Sequence, residues 1–195
     1  KSYLDLLTQT VGVSGVLAFG FVASWLFGRE YSDGTVKDLL SLPTSRSRIL
    51  NAKFSIYIIW CLALVVSNLI IGLLIGTILQ LPSTKINVLY PLLTDYFITT
   101  ILTILIGVPI PFFALLGKGY LAPLGFVALT LVLAQVIAAI GYGSYFPWSI
   151  PGLYSGAGGA FKNLLDKYSY LILILTCIAG YIATVIYWKN ADQTK

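Results

Sequence analysis

The charged residues of this chain, which are the ones best able to form ion pairs and polar contacts, are concentrated in one place. The run from Gly28 to Phe54 contains eight of the nineteen charged residues. They are Arg29, Lys37, Arg46, Arg48 and Lys53 together with Glu30, Asp33 and Asp38. Because unpaired charges are costly to bury, we expect this run to face water and to be where the chain meets something soluble.

Outside this run the sequence offers little material for catalysis. The chain has no His, which removes Ser–His rhomboid-type proteolysis, metalloproteolysis at a His-Glu-x-x-His motif and His-based phosphatase chemistry. Cys61 and Cys177 lie in apolar stretches, where a free Cys packs as a small hydrophobic residue. Two cysteines cannot complete a four-ligand zinc site. We therefore expect no catalytic residue and no metal site in this chain.

None of the seven acidic residues lies at the centre of an apolar segment. Asp95 directly precedes one such segment and follows Thr94, so we expect one of these two residues to cap the N-terminus of a helix. Without a buried Asp or Glu, an ion-coupled carrier has no obvious ion site. Backbone carbonyls can bind sodium, however, so a carrier remains an alternative.

The elements that position the charged run are membrane-length apolar segments. Hydrophobic residues make up 58% of the chain and charged residues 10%, and the mean hydropathy is +0.91. A membrane-spanning helix needs about 20 mostly apolar residues, and continuous runs of this kind argue against the alternating strands of a barrel. The sequence therefore predicts an all-α membrane protein, a polytopic helical bundle forming one domain over residues 1–195. Its five predicted spans are 6–27, 55–79, 96–116, 121–140 and 170–188.

The basic residues predict the orientation of the bundle, since short loops rich in Lys and Arg stay in the cytoplasm. With five spans, the run 28–54, the turn 117–120 and the C-terminal tail share one side and carry eight basic residues, against four on the other. This places the charged run in the cytoplasm and the N-terminus outside. Because the chain starts outside and contains no Met, we expect a sixth span upstream of these five.

The charged run also has internal organisation. Thr35 and Asp38 occupy the N-cap and capping-box positions of a helix, Pro43 ends that helix, and Thr44 or Ser45 can start the next one. The apolar residues that share one face of the short helix are Val36, Leu39 and Leu40. The sequence thus predicts an amphipathic helix roughly 12 Å long. A basic loop that merely obeys the positive-inside rule is the alternative.

The order of residues in this run forms a recognisable pattern. An acid at the end of the first span is followed by a Gly-Thr pair, a Leu-Leu step, a Leu-Pro pair and a basic segment. The residues are Glu30, Gly34, Thr35, Leu39, Leu40, Leu42, Pro43, Arg46, Arg48, Ile49, Leu50 and Lys53. The pattern resembles the first cytoplasmic loop of ABC-2 type transporter permeases. It is closest to small bacterial permeases of bacitracin, lantibiotic and other antimicrobial-peptide resistance and of peptide export.

The resemblance implies a function for the whole chain. The run would be a coupling helix that docks on a separate ATP-binding cassette subunit, which binds ATP and Mg, so the chain itself would not be an enzyme. Two permease copies, in a homodimer or heterodimer, would export a hydrophobic or amphipathic compound, such as an antimicrobial or toxin peptide, across the bacterial cytoplasmic membrane. The first and fourth spans would line the pathway. We expect no nucleic-acid partner.

The same resemblance implies which residues couple the two subunits. Glu30 would be the family's acid at the membrane edge, paired with a nearby Arg. The coupling residues would be Glu30, Tyr31, Gly34, Thr35, Val36, Leu39, Leu40, Leu42, Pro43, Arg46 and Arg48. Two other functions remain open: a membrane scaffold or assembly protein that recruits a different soluble partner, and the ion-coupled carrier.

Other residues within the spans carry weaker signals. Gly72 and Gly76 form a G-x-x-x-G surface for close helix packing, either within the chain or between two copies. Pro109 and Pro111 are expected to kink the third span. The polar residues Ser67, Asn68 and Gln135 should either bond neighbouring helices or line a pathway.

The segment Tyr142 to Ser169 lies outside in the predicted topology. Its Tyr, Trp and Pro residues suit the membrane interface, and it resembles the short re-entrant helices that cap the exit of ABC-2 exporters. Gly156, Gly158 and Gly159 are expected to form a hinge or tight turn. They do not form a phosphate-binding loop, because the Gly-Lys-Ser/Thr ending is missing.

Overall fold

The computed structural model describes residues 3–41, 43–80, 86–159 and 164–190, and these residues form helices and turns without a strand. The long helices are α1 (Tyr3–Ser32), α3 (Arg46–Ile78), α4 (Ile86–Gly107), α6 (Leu121–Ala139) and α8 (Lys167–Asn190). The short ones are α2 (Val36–Ser41), α5 (Ile110–Leu116) and α7 (Ile150–Tyr154). Within this part of the chain five segments are long and apolar enough to cross a membrane, α4 and α5 counting together. The prediction of a five-span helical bundle is confirmed.

Helix α1 and the third span form the centre of the bundle. The most apolar windows of these two spans are 56% and 61% buried within the chain, against 17%, 22% and 17% for α3, α6 and α8. Helix α1 packs against α3, α4, α5 and α6. Close approach depends on small residues: at Gly20 an added Cβ would lie 2.7 Å from the Val127 side chain. Helices α3 and α6 are therefore positioned by their contacts with α1, whereas α8 packs against α3, α4 and α5.

The third span is broken where its two prolines occur. Helix α4 ends at Gly107 and α5 begins at Ile110, with Pro109 at its N-cap. The Val108 N–H donates to the Leu105 carbonyl at 3.2 Å, so the helical ladder is interrupted. The Tyr57 hydroxyl of α3 donates to the Ile104 carbonyl at 3.0 Å, which supplies a partner at the break. The predicted kink is confirmed.

The expected helix cap at Thr94 or Asp95 is wrong. Helix α4 begins at Ile86 and continues through Pro91, so both residues lie within it. Because Pro removes only one helical hydrogen bond, it did not separate the polar stretch from the span. The Asp95 carboxylate instead accepts a hydrogen bond from the Tyr154 hydroxyl at 3.2 Å, which connects α4 to α7.

The two glycines of the G-x-x-x-G motif pack within the chain. A Cβ added at Gly72 would lie 2.5 Å from the Leu7 side chain, and one at Gly76 would lie 3.2 Å from the Tyr3 ring. Both neighbours belong to α1, so the intrachain alternative is confirmed.

One turn from Gly72, the Asn68 side-chain oxygen accepts a hydrogen bond from the Tyr96 hydroxyl at 3.1 Å. The Ser67 hydroxyl donates to the Ala63 carbonyl of its own helix at 2.8 Å.

The described part of the 142–169 segment contains two 3-10 turns, Gly143–Tyr145 and Pro147–Ser149, followed by α7. Ile150 at the start of α7 is fully buried in a cluster with Val16, Leu102, Ile106 and Leu173. Gly156 and Gly159 have φ values of +83° and +63°, which L side chains rarely adopt. The predicted tight turn at these glycines is confirmed.

Candidate functional site

The loop between α1 and α3 is built from local hydrogen bonds and one glycine. Helix α1 continues to Ser32, and Gly34, with φ of +73°, turns the chain. The Thr35 N–H donates to the Glu30 carbonyl at 2.9 Å. Helix α2 begins at the next residue, so the predicted short helix is present. Ser45 adopts the extended N-cap conformation of α3, with φ −70° and ψ 141°, as expected for the start of the next helix.

The apolar face of α2 is directed into the bundle. Val36 is 5% exposed, and Leu39 is partly buried against a cluster of buried residues. Lys37, Asp38 and Ser41 are exposed. Leu42 lies outside the described residues, and so does the side chain of Leu40. Two of the predicted coupling residues thus anchor α2 to its own chain, and the polar face is the one available to a partner.

The cluster beneath α2 joins four of the spans, and we call it the basal cluster. Its buried members are Phe27, Leu50, Phe54, Ala114, Leu115 and Trp188. They come from α1, α3, α5 and α8, and Tyr31 and Leu39 pack against them. Because a close-packed cluster transmits displacement rather than absorbing it, a force applied to α2 would reach all four helices.

A buried ion pair joins α1 and α3 beside the basal cluster. The Lys53 ammonium lies 2.5 Å from Glu30 Oε2 and donates to the Leu26 carbonyl at 2.9 Å. The Lys53 and Glu30 side chains are 9% and 26% exposed. The expected Arg partner for Glu30 is therefore wrong: Arg29 pairs with Asp33 in an exposed i,i+4 bridge. Lys53 is the partner of Glu30 instead, because α3, which carries Lys53, packs directly against α1.

Helix α8 is tied to the start of α3 at the same end of the molecule. The Trp188 indole N–H donates to the Arg46 carbonyl at 2.9 Å, and the Arg46 guanidinium donates to the Lys189 carbonyl at 3.2 Å. Sequence reasoning did not identify Trp188 as part of the site. A Trp at the end of an apolar span is the only signal that pointed to it, and such a Trp is common at membrane interfaces.

The turn between α5 and α6 completes this end of the bundle. At Gly28 an added Cβ would lie 2.6 Å from the Gly119 carbonyl carbon and from the Tyr120 nitrogen. The charged run, the 117–120 turn and the end of α8 therefore meet, as the alternation of five spans requires. Their exposed residues include Arg46, Arg48, Pro43, Thr44 and Lys118. This surface is polar, largely basic and mechanically connected to the spans, so it can bind a soluble protein and transmit its movement.

Comparison with known proteins agrees with this architecture. The family described as "ABC-2 family transporter protein" matches residues 2–136. The bacitracin transport permease protein BCRB of Bacillus licheniformis is 29% identical over 192 residues, which cover 98% of this chain and 92% of that protein. No solved structure matches the chain. The chain therefore belongs to the ABC-2 transporter family and is a multi-pass protein of the cell membrane.

Proposed function

We propose that this ABC transporter membrane subunit exports an amphipathic compound and is driven by a separate ATPase subunit that docks on α2. The observation that carries the proposal is the position of α2 on the basal cluster. Leu39 of α2 packs against residues from α1, α3, α5 and α8. A partner that moves α2 would therefore move four membrane helices together.

Docking and force transmission are assigned to different faces of the segment. The exposed residues Lys37, Asp38 and Ser41, with Pro43 and the adjoining Arg46 and Arg48, form the contact surface for the ATPase. Charged residues on such a surface set the register of the complex and speed its formation. Val36, Leu39 and Tyr31 pass the movement inward. Leu40 and Leu42 remain predicted coupling residues, and Gly34 and Thr35 shape the turn.

ATP hydrolysis takes place in the partner ATPase subunit. ATP and Mg bind to the ATPase subunit, and the ATP-driven closure of two such subunits moves α2. This chain pairs with a second permease copy, either itself or a sister subunit, to form the pathway. A relative that is named for bacitracin transport makes bacitracin the first compound to test as cargo.

The experiment is co-expression with the ATPase subunit encoded in a neighbouring reading frame, recognised by its G-x-x-x-x-G-K-S/T motif. We expect the two proteins to copurify from detergent, with ATPase activity that bacitracin stimulates. Charge reversal on the exposed face, as in Lys37→Glu combined with Asp38→Lys, should reduce the copurified ATPase at least fivefold. Lys167→Glu, an exposed charge at the far end of the bundle, is the matched control and should have no effect.

Two results would contradict the proposal. If no nucleotide-binding protein copurifies with the chain, a membrane scaffold that recruits a different partner becomes the better assignment. If efflux persists without ATP and follows an imposed sodium or proton gradient, the chain is an ion-coupled carrier.

A further inference from the structure

A cavity lies at the opposite end of the bundle from α2. It has a volume of about 420 Å³ and is lined by α1, α6 and the segment that follows α6. Its α1 lining, Gly12 to Val16, lies 12 to 16 residues before Gly28, which corresponds to roughly 18–24 Å along the helix. The cavity is therefore in the outer half of the bundle, within the apolar part of the spans.

The walls are apolar and made of small residues. Gly12, Gly152, Ala134 and Ala138 contribute no bulk, and at Gly152 an added Cβ would still lie 3.6 Å from the nearest side chain, that of Val13. A cavity of this volume, apolar with a few polar groups, is typical of small-molecule sites, which range over about 300–1,000 Å³.

Two polar groups on the wall have no hydrogen-bond partner in the part of the chain that the structure describes. Gln135 lines the cavity and is exposed, and in the described part of the chain its carboxamide makes no hydrogen bond. The Trp148 ring also lines the cavity, and its buried indole N–H has no partner among the described residues. A carboxamide within a membrane span without a partner is costly in lipid. The predicted hydrogen bond from Gln135 to a neighbouring helix is therefore not found among the described residues.

We propose that this cavity binds the alkyl chain of the transported amphiphile and that Gln135 hydrogen-bonds its polar group. The inference rests on the proposed export function and adds the site and the chemistry of the cargo. A bilayer acyl chain would also fill the apolar walls, and Gln135 lies only four residues before the end of α6, so lipid is the competing occupant that the experiment separates from cargo. An amphiphile with a hydroxyl or carbonyl beside its alkyl chain would fill the apolar walls and hydrogen-bond the Gln135 carboxamide.

The experiment uses dodecanol with a terminal diazirine as a photoreactive probe on the copurified complex in lipid nanodiscs. After illumination, mass spectrometry measures the label on residues 143–159. We expect Ala139→Phe, which fills the cavity from the exposed end of α6, to reduce this label at least fivefold. Gln135→Leu should reduce it about threefold or more, because it removes the polar contact and leaves the volume nearly unchanged.

Ala128→Phe is the matched control. Ala128 is exposed on the same helix, lies almost on the same face as Ala139 eleven residues away, and does not line the cavity. It should leave the label unchanged. Melting temperatures of the two Phe variants equal to that of the unsubstituted protein would show that the bundle remains folded in both.

The outcomes separate this inference from the proposed function. Label that is undiminished in Ala139→Phe, while the ATPase still copurifies, would overturn the site alone. Label that excess bilayer lipid displaces but excess unmodified dodecanol does not would assign the cavity to lipid and overturn the cargo assignment. Failure of any ATPase to copurify would contradict the proposed function, whatever the label shows.

Discussion

Lys53 of α3 donates hydrogen bonds to both the Glu30 carboxylate and the Leu26 carbonyl at the end of α1. One ammonium group thereby connects the two helices that flank α2. The contact is largely buried on the lysine side, with only 9% of the Lys53 side chain exposed. It fixes the spacing of α1 and α3 at the point where a partner would act.

Removing one member of this pair should be more damaging than removing both. Glu30→Gln leaves the buried Lys53 charge without its counter-ion, and we expect a loss of about 3 kcal/mol, the low end for a buried pair because Glu30 is 26% exposed. The double variant Glu30→Gln/Lys53→Met should lose less stability than Glu30→Gln alone. Thermal melting in detergent measures each effect.

The Arg29–Asp33 bridge is the control for that prediction. Its side chains are 55% and 49% exposed, and exposed pairs contribute less than about 1 kcal/mol. Arg29→Ala should therefore lower the melting temperature only slightly. A similar loss in Arg29→Ala and Glu30→Gln would mean that the Lys53 pair has no special role.

Gly28 should not tolerate a side chain. An Ala at this position would bring its Cβ to 2.6 Å from the backbone of Gly119, and backbone cannot rotate away as a side chain does. We expect Gly28→Ala to cost about 1–3 kcal/mol or more by overpacking and to separate the 117–120 turn from α1. Gly125→Ala on α6 should be neutral, because beyond the adjoining backbone of α6 no described residue lies within 4 Å of the added Cβ. The yield of folded protein in size-exclusion chromatography distinguishes them.

Gly72 should behave as part of an intrachain contact. Gly72→Leu would collide with the Leu7 side chain and should cost about 1–3 kcal/mol. The second substitution Leu7→Ala opens the same space and should restore most of the lost melting temperature. The oligomeric state should be identical in both variants. A change of oligomeric state without rescue by Leu7→Ala would instead indicate that Gly72 lies between two copies.

A substitution at Leu39 should weaken the coupling of α2 to the spans without preventing the ATPase from docking. Leu39→Ala removes the packing of α2 on the basal cluster but leaves the exposed Lys37 and Asp38 in place. We expect a loss of about 1–2 kcal/mol, less than for a fully buried Leu, with the ATPase still bound. Bacitracin-stimulated ATP turnover should fall at least fivefold. Leu39→Met, which keeps the volume, should retain it, and loss of ATPase binding in Leu39→Ala would contradict this division of roles.

Local signals predicted the existence of α2 but not its orientation. Gly34, Thr35 and Pro43 are neighbours in sequence, and turn and cap chemistry acts over a few residues. The direction of the Val36 and Leu39 face depends on the surface available to it. That surface includes Trp188, about 150 residues away in the chain, so no local pattern could reveal it. The same limit applies to the pairing of Glu30 with Lys53.

The expectation for Asp95 failed for a different reason. The prediction began the third span at residue 96 and therefore placed Thr94 and Asp95 at the N-terminus of a helix. In the bundle, α4 begins ten residues earlier, at Ile86, and continues through Pro91. The five spans were predictable because membrane-length apolar runs are a strong signal. The ends of the helices were not predictable, because turns made of polar residues extend each helix beyond its apolar segment.

The break at Pro109 also has an evolutionary consequence. Because Val108 bonds to Leu105, the Ile104 carbonyl takes its hydrogen bond from Tyr57 on another helix. A relative that loses the proline and restores a straight helix no longer needs that hydroxyl. A relative that keeps the break but replaces Tyr57 by Phe leaves a carbonyl unpaired in an apolar interior. We therefore expect Tyr57 and Pro109, 52 positions apart in the numbering, to be inherited together as one unit.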